Sequence, residues 1–219
     1  MAILEKIIFD NFSVGGECNL FHHGTVLDCL QNNCFEFHAG NLYGIIGEFG
    51  NGGAALSCGI TGNTDYYEGR IYIDNQESSM EHIIENSWYV GLDLKNAKRW
   101  LKKRQTIRQQ IEYGVHNIKQ ELDVGKIQNI FHISDERMDR SIEFISGERW
   151  KASAAIGYAN GRKIFCYPWM NSRDIEHLKE QLFNTIKYLI NFGCIVIIPT
   201  TTEKNMKKIS SQYNIIYIE

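Results

Sequence analysis

The chain has 219 residues, 43% of them hydrophobic, and a formal net charge of −3. That length supports one domain with a subdomain and a sizeable core, and the mixed composition carries no general nucleic-acid footprint, so no nucleic-acid partner is expected. No apolar run reaches the roughly 18–20 residues of a membrane span, the N-terminal MAILEKIIFDNF lacks a signal-peptide layout, and the scattered cysteines read as reduced, mostly buried thiols of a cytosolic protein.

Residues 3–14 alternate well enough for one or two strands, and Val26–Phe37 adds another. Cys29 and Cys34, with His22, His23 and His38 nearby, match no zinc spacing and read as ordinary packing, so no metal site is expected. A turn at Gly40 leads into the stretch GNLYGIIGEFGNGGAALSCGITG, residues 40–62. Its short apolar run, 42–46, ends in a glycine-rich turn, 47–53, followed by the apolar segment Ala54, Ala55, Leu56, Cys58 and Ile60. Strand, glycine-rich turn and helix N-terminus are the layout of a phosphate-binding loop. Such a loop needs glycines at its first and sixth positions, then a Lys for the β/γ-phosphates and a hydroxyl for Mg²⁺. Gly47 and Gly52 fill the glycine positions, with Gly50 and Asn51 between them, whereas the Lys position is Gly53 and the hydroxyl position Ala54. The cradle is kept in outline and its two functional side chains are absent. Glu48 adds a negative charge beside it.

Beyond the loop helix, 69–74 reads as a short edge-like strand and 87–90 as a buried one. Lys95, Lys98, Arg99, Trp100, Lys102, Lys103 and Arg104 then form a basic run whose plain reading is a solvated helix face. Helices are expected over 106–113 and 125–133, with a polar, capped connection over 134–140. Ser146-Gly147-Glu148 opens an alanine-rich helix to about residue 160. A strand at 164–167, an amphipathic helix at 174–191, a buried strand at 194–198, a short helix at 206–211 and a last strand at 214–218 complete the chain. Strands alternating with helices argue for a parallel sheet with crossovers. The expected division is 1–91 as the first part of the core, 92–145 as a helical insertion and 146–219 as the second part of the core.

With these pieces placed, the chain resembles the nucleotide-binding domain of ABC transporters over nearly its whole length. VLDCLQNNCFEFHAGNLYGIIG (26–47) is similar to the strands leading into that family's Walker A motif, and EGRIYIDN (68–75) to the strand after the loop helix. TIRQQIEYG (106–114) resembles the entry to the helical subdomain, and HISDERMDRSIEFISGER (132–149) the signature motif with its approach. Residues 174–198 resemble the helix and strand that follow Walker B. The resemblance implies an α/β fold: a P-loop NTPase-like parallel sheet core with N-terminal antiparallel strands and an inserted helical subdomain.

Against that pattern the departures are concerted. The Walker A Lys and Ser/Thr fall on Gly53 and Ala54, the Q-loop glutamine on Leu92, and the switch histidine at about Thr201. The Walker B strand runs Ile164-Phe165-Cys166 into Tyr167-Pro168-Trp169 with no carboxylate in either register. What remains is the signature, Ile145, Ser146 and Gly147 with Glu148 and Arg149 in place of the usual pair, and Asp174 at the D-loop position. Charge-assisted hydrogen bonds contribute about 1.5–3 kcal/mol each. Losing the Lys, the Mg²⁺ hydroxyl and the carboxylate therefore weakens Mg-ATP binding by roughly two to five orders of magnitude, and losing a general base typically removes a further ~10²–10⁴ in rate.

The resemblance thus implies a non-catalytic subunit that binds ATP/Mg only weakly at its own loop and requires no cofactor. Its expected partners are a catalytic ABC ATPase subunit, in a head-to-tail heterodimer to which Ser146, Gly147 and Glu148 are presented, and separate transmembrane permease subunits. It would lie in the cytoplasm, peripheral on the inner face of the membrane, in a small separate-subunit system suited to exporting a peptide or antimicrobial. Leu92, Lys98, Arg99 and Trp100 occupy the segment that meets the transmembrane subunit; contact of these cations with acidic headgroups stays open beside it. Phe12 and Phe21 are the candidates for stacking on adenine. Two other readings stand beside this one: a regulatory or interaction protein that keeps the fold without transport, and an NTPase with an unconventional site drawing on Arg70, Lys163, Asp174 and Glu203.

Overall fold

A computed structural model describes residues 4–20, 24–64, 66–92, 105–118 and 122–219. It divides into two compact units, Met1–Tyr89 with Lys163–Glu219, and Val90–Arg162.

The first unit carries two sheets. Strands β1 (Lys6–Leu20) and β2 (Gly24–His38) form a long antiparallel pair. With β4 (Tyr66–Ile73) and β5 (Gln76–Ser78) they make a sheet ordered β2-β1-β4-β5. Period-2 alternation turns Phe35 and Phe37 of β2 inward with Ile7, Phe9, Phe12 and Val14 of β1. The ring centroids of Phe9 and Phe12 lie 4.8 Å apart, and those of Phe37 and Tyr43 4.9 Å. Register shifts interrupt β1 between Phe9 and Val14. There Asn11 has φ 52°, and opposite it Gly69, at φ 117°, would drive a Cβ to 2.7 Å from the Asn11 carbonyl oxygen. The bulge is thus fixed by a close backbone approach.

The second sheet is parallel, ordered β6-β7-β8-β3-β9. It comprises β3 (Leu42–Ile46), β6 (Ser87–Tyr89), β7 (Ile164–Cys166), β8 (Ile195–Thr200) and β9 (Asn214–Tyr217). β3 and β8 are buried at every position, as expected of parallel strands covered on both faces. Helix α1 (Gly53–Ile60) follows β3, is buried throughout, and touches β1, β2 and β8. A Cβ on Gly59 would fall 2.4 Å from Val14 Cγ2, so only glycine lets the helix lie this close to β1. α2 (Met80–Asn86) and β5 are not apparent from periodicity: both are short, and α2 buries only Met80 and Ile83. α7 (Ser172–Asn191) opens on a capping box between Asn171 and Asp174 and buries Ile175, Leu178, Leu182, Ile186 and Leu189 at helical spacing. α8 (Glu203–Ile209) packs against it. Glu176 of α7 bonds Lys179 and Lys208, which hold its carboxyl down at about 2.

The second unit is helical: α3 (Ile107–Ile118), α4 (Val124–Ile130), α5 (Asp135–Met138), a 3-10 turn at Ile142–Phe144, and α6 (Arg149–Ala159). The sequence reading divides core from insertion at 145/146, whereas residues 146–162 group with these helices. The cause is the contact between α3 and α6. Gly114 of α3 faces the end of α6 so closely that a Cβ would fall 2.5 Å from the Ala159 carbonyl oxygen. The Asn160 side chain donates to the Gln110 carbonyl at 3.2 Å. Trp150, only 1% exposed, belongs to this core. Gly114→Val is therefore expected to destabilise the helical unit by about 1–3 kcal/mol, read as a lower thermal midpoint and faster hydrogen exchange in α3 and α6, while Tyr113→Ala, at a position 57% exposed, leaves both unchanged.

Candidate functional site

The loop between β3 and α1 is held at both ends. The Gly47 amide donates to the Thr200 carbonyl at 3.1 Å, and the Asn51 amide to the Glu48 carbonyl at 3.2 Å. Glu48 and Gly50 are exposed and Asn51 is half-buried, whereas Gly52, Gly53 and Ala54 are buried. Gly52 has φ 95°, and a Cβ there would fall 2.7 Å from the Cys29 carbonyl oxygen and from Leu30 Cβ. Strand β2 thus presses directly on the loop, and glycine is required for both its conformation and its space.

The residue that organises this contact is Asp28, 5% exposed on β2. Its Oδ1 accepts the Gly52 N–H at 2.9 Å and its Oδ2 accepts the Ala55 N–H at 2.9 Å. No motif in the sequence marks it. The available signal is alternation: Asp28 shares the inward register with Leu30, and an acid at a core-facing strand position has to find donors.

On its other side the loop meets Trp169. The indole N–H donates to the Gly47 carbonyl at 3.3 Å, and the ring stands edge-on to Phe49 with centroids 5.1 Å apart. A Cβ on Gly53 would lie 2.9 Å from Pro199 Cβ and 3.5 Å from Trp169 Cδ1. The first atom of any longer side chain at this position therefore meets packed side chains. β7 pairs in parallel with β8 and ends at Cys166, so its continuation supplies Tyr167, Pro168 and Trp169 where an acid would be needed. Burial pushes both the Cys166 thiol and the Tyr167 phenol up. Neither is a negative charge near neutral pH, and neither replaces a carboxylate as metal ligand or base.

Thr201 accepts a hydrogen bond from the Asn205 amide at 3.2 Å, and Asn205 also donates to the Thr200 hydroxyl at 2.8 Å. Asp174 accepts the Asn171 N–H at 3.1 Å as part of the α7 cap. Of the remaining candidates for an unconventional site, Arg70 pairs with Asp10 at 2.6 Å, Glu203 meets Lys207 at 3.1 Å and the Tyr213 hydroxyl at 3.2 Å, and Lys163 bonds Asn86 and Ile195 through its backbone. Phe12 is wholly buried against Phe9 and offers no face to an adenine ring, which corrects its candidacy. Phe21, His22 and His23 lie outside the described residues. Cys29 and Cys34 are exposed, and His38 pairs with Glu36 at 2.8 Å.

In the helical unit, Ser146 and Gly147 are exposed, and a Cβ on Gly147 would meet nothing within 4 Å. The Glu148 carboxylate accepts from the Ser134 amide at 2.9 Å and its hydroxyl at 3.1 Å, and so is tied to the start of α5. Arg149 Nε donates to the Gly91 carbonyl at 2.8 Å, and the Ser153 hydroxyl accepts from the Gly91 amide and donates to the Leu92 carbonyl, both at 2.7 Å. Leu92 is therefore pinned through its backbone to α6. Lys98, Arg99 and Trp100, with the rest of the basic run 95–104, lie outside the described residues.

Comparison with known proteins agrees with this architecture. The family model described as ABC transporter matches residues 30–167. A Clostridium tetani protein assigned as an ABC transporter ATP-binding protein is 24% identical over 173 residues, a match covering 78% of this chain and 39% of the relative, so the chain spans well under half of that relative's length. Among solved structures, an ABC transporter ATP-binding protein of Pyrococcus furiosus superposes with a TM-score of 0.63 at 14% identity, covering 97% of each chain. A bacterial Atm1-family ABC exporter with ATP bound gives 0.63 at 15%, covering 100% of this chain and 38% of the exporter's. A dimeric bacterial ABC transporter cassette gives 0.63 at 16%, covering 97% and 94%. At these identities the structural likeness concerns the fold. The packing of Pro199 on Gly53 makes a direct forecast: Gly53→Lys lowers stability by about 1–3 kcal/mol in denaturant unfolding, and a variant as stable as the parent would show that Pro199 gives way.

Proposed function

Because the chain belongs to the ABC transporter family, we propose that it acts as the ATP-binding-type subunit that does not hydrolyse ATP and that completes the site of a competent ATPase partner. The observation that carries this reading is the position of Gly53. The residue that would send an ammonium toward the phosphates has no side chain, and its Cβ direction is filled by Pro199 and Trp169. The missing chemistry is consistent along the site: Ala54 offers no hydroxyl to a metal, and Cys166 and Tyr167 are neutral where the strand would deliver an acid.

The opposite holds for the signature segment. Ser146 and Gly147 are exposed at the start of α6, where helix amides and a hydroxyl suit an incoming phosphate. The Glu148 carboxylate is held on the Ser134 amide and hydroxyl, which fixes where its charge sits relative to that phosphate. In the head-to-tail dimer that the resemblance implies, Ser146 would face nucleotide held by the partner's intact loop. Permease subunits on separate polypeptides would then receive the closure of the pair at the inner face of the membrane.

The test is a reconstitution with the ATPase subunit that copurifies from membranes. The isolated chain is expected to show no ATPase above background, and its addition to stimulate the partner's turnover. Ser146→Arg, which places a bulky cation at the presented surface, should abolish that stimulation. Stimulation that survives Ser146→Arg, or turnover by the isolated chain, would refute the proposal.

A further inference from the structure

We propose that the carboxylate of Asp28 is a built-in anion filling the phosphate cradle, so that the loop closes on the chain's own side chain and turns nucleoside triphosphates away. This rests on the reading above and deepens it, from a loop that lacks catalytic groups to a loop two of whose amides, those of Gly52 and Ala55, are already taken. Both carboxylate oxygens are used, one on the Gly52 amide and one on the Ala55 amide, each at 2.9 Å. These amides flank Gly53 and Ala54, the positions at which a working loop of this kind grips its phosphates. A helix N-terminus favours a negative charge, and here the charge comes from within. Because it is tethered, its effective concentration far exceeds that of a free anion.

Asp28 does not reach in from the surface. It is 5% exposed, and the strand that carries it is wedged against the loop by the Cys29 carbonyl and Leu30, both in contact with Gly52. An incoming phosphate must either expel a buried carboxylate from this strand or settle beside it, like charge against like charge. Gly53 supplies no cation to offset that repulsion. Trp169, edge-on to Phe49, spends its one N–H on the Gly47 carbonyl and so offers no donor to an incoming phosphate.

Thermal unfolding of the full chain in sodium pyrophosphate, against sodium chloride of equal ionic strength, tests the assignment. The wild-type midpoint is expected not to move. Asp28→Ala should melt lower and then recover by about 5–10 °C once pyrophosphate exceeds its Kd by about 100-fold. Stabilisation of the wild type equal to that of the variant would overturn the proposal, as would an Asp28→Ala protein that folds and ignores pyrophosphate. Should Asp28→Ala not fold, the near-isosteric Asp28→Asn takes its place in the same comparison. Independently, the Gly52 and Ala55 amide resonances of the wild type should stay unmoved by Mg-ATP; their displacement without turnover sinks the built-in anion and leaves the non-hydrolysing reading standing, whereas turnover by the isolated chain removes that reading itself.

Discussion

Helix α1 is eight residues long and buried from end to end between the antiparallel strands and the parallel sheet. A helix in that position exposes nothing to water, so the amide groups at its start need partners inside the protein. Asp28 takes two of them, those of Gly52 and Ala55, and the same bonds fasten β2 to the loop and through it to β3. The glycines follow from the same constraint. Gly52 lets β2 approach the loop, Gly53 makes room for Pro199, and Gly59 lets α1 lie against Val14. Three contacts that would each be forbidden to a larger residue hold one short helix between two sheets.

The chemistry of the loop follows from this packing. A cradle that grips phosphates keeps its amides open and sets a lysine, a hydroxyl and an acid around them. Here a carboxylate sits on the amides, Pro199 and Trp169 lie along the lysine direction, and the strand that would end in an acid ends in a thiol and a phenol kept neutral by burial. The lysine and the acid are absent, and Asp28 bonds two of the amides a ligand would otherwise meet. The signature segment is treated differently. Its serine and glycine are exposed, and its one anion, Glu148, is bound to Ser134.

Much of the core was legible in the sequence because its signals are local. The all-apolar runs of β3 and β8, the helical spacing in α7 and the glycine-rich turn each carry their meaning within a few residues. The presence of Gly53 and Ala54 was equally plain. What stayed hidden depends on distant partners. Nothing near Asp28 reveals that its oxygens lie on amides 24 and 27 residues further on. Likewise Glu148 resembles a charge facing a phosphate until Ser134, 14 residues earlier, is seen to bind it. Phe12 looked available for stacking because its position in the alternation does not disclose the bulge that sends it into the aromatic cluster. The boundary of the helical unit moved for a similar reason: α6 reads as a core helix by order, but Gly114 and Asn160 bind it to α3.

Isothermal titration of Mg-ATP into the isolated chain measures most directly whether this loop has exchanged its ligand for a side chain. No saturable heat is expected through hundreds of micromolar nucleotide. A Kd tighter than about 1 μM, equivalent to about −8 kcal/mol, would contradict the occupied cradle and restore the chain to the nucleotide binders.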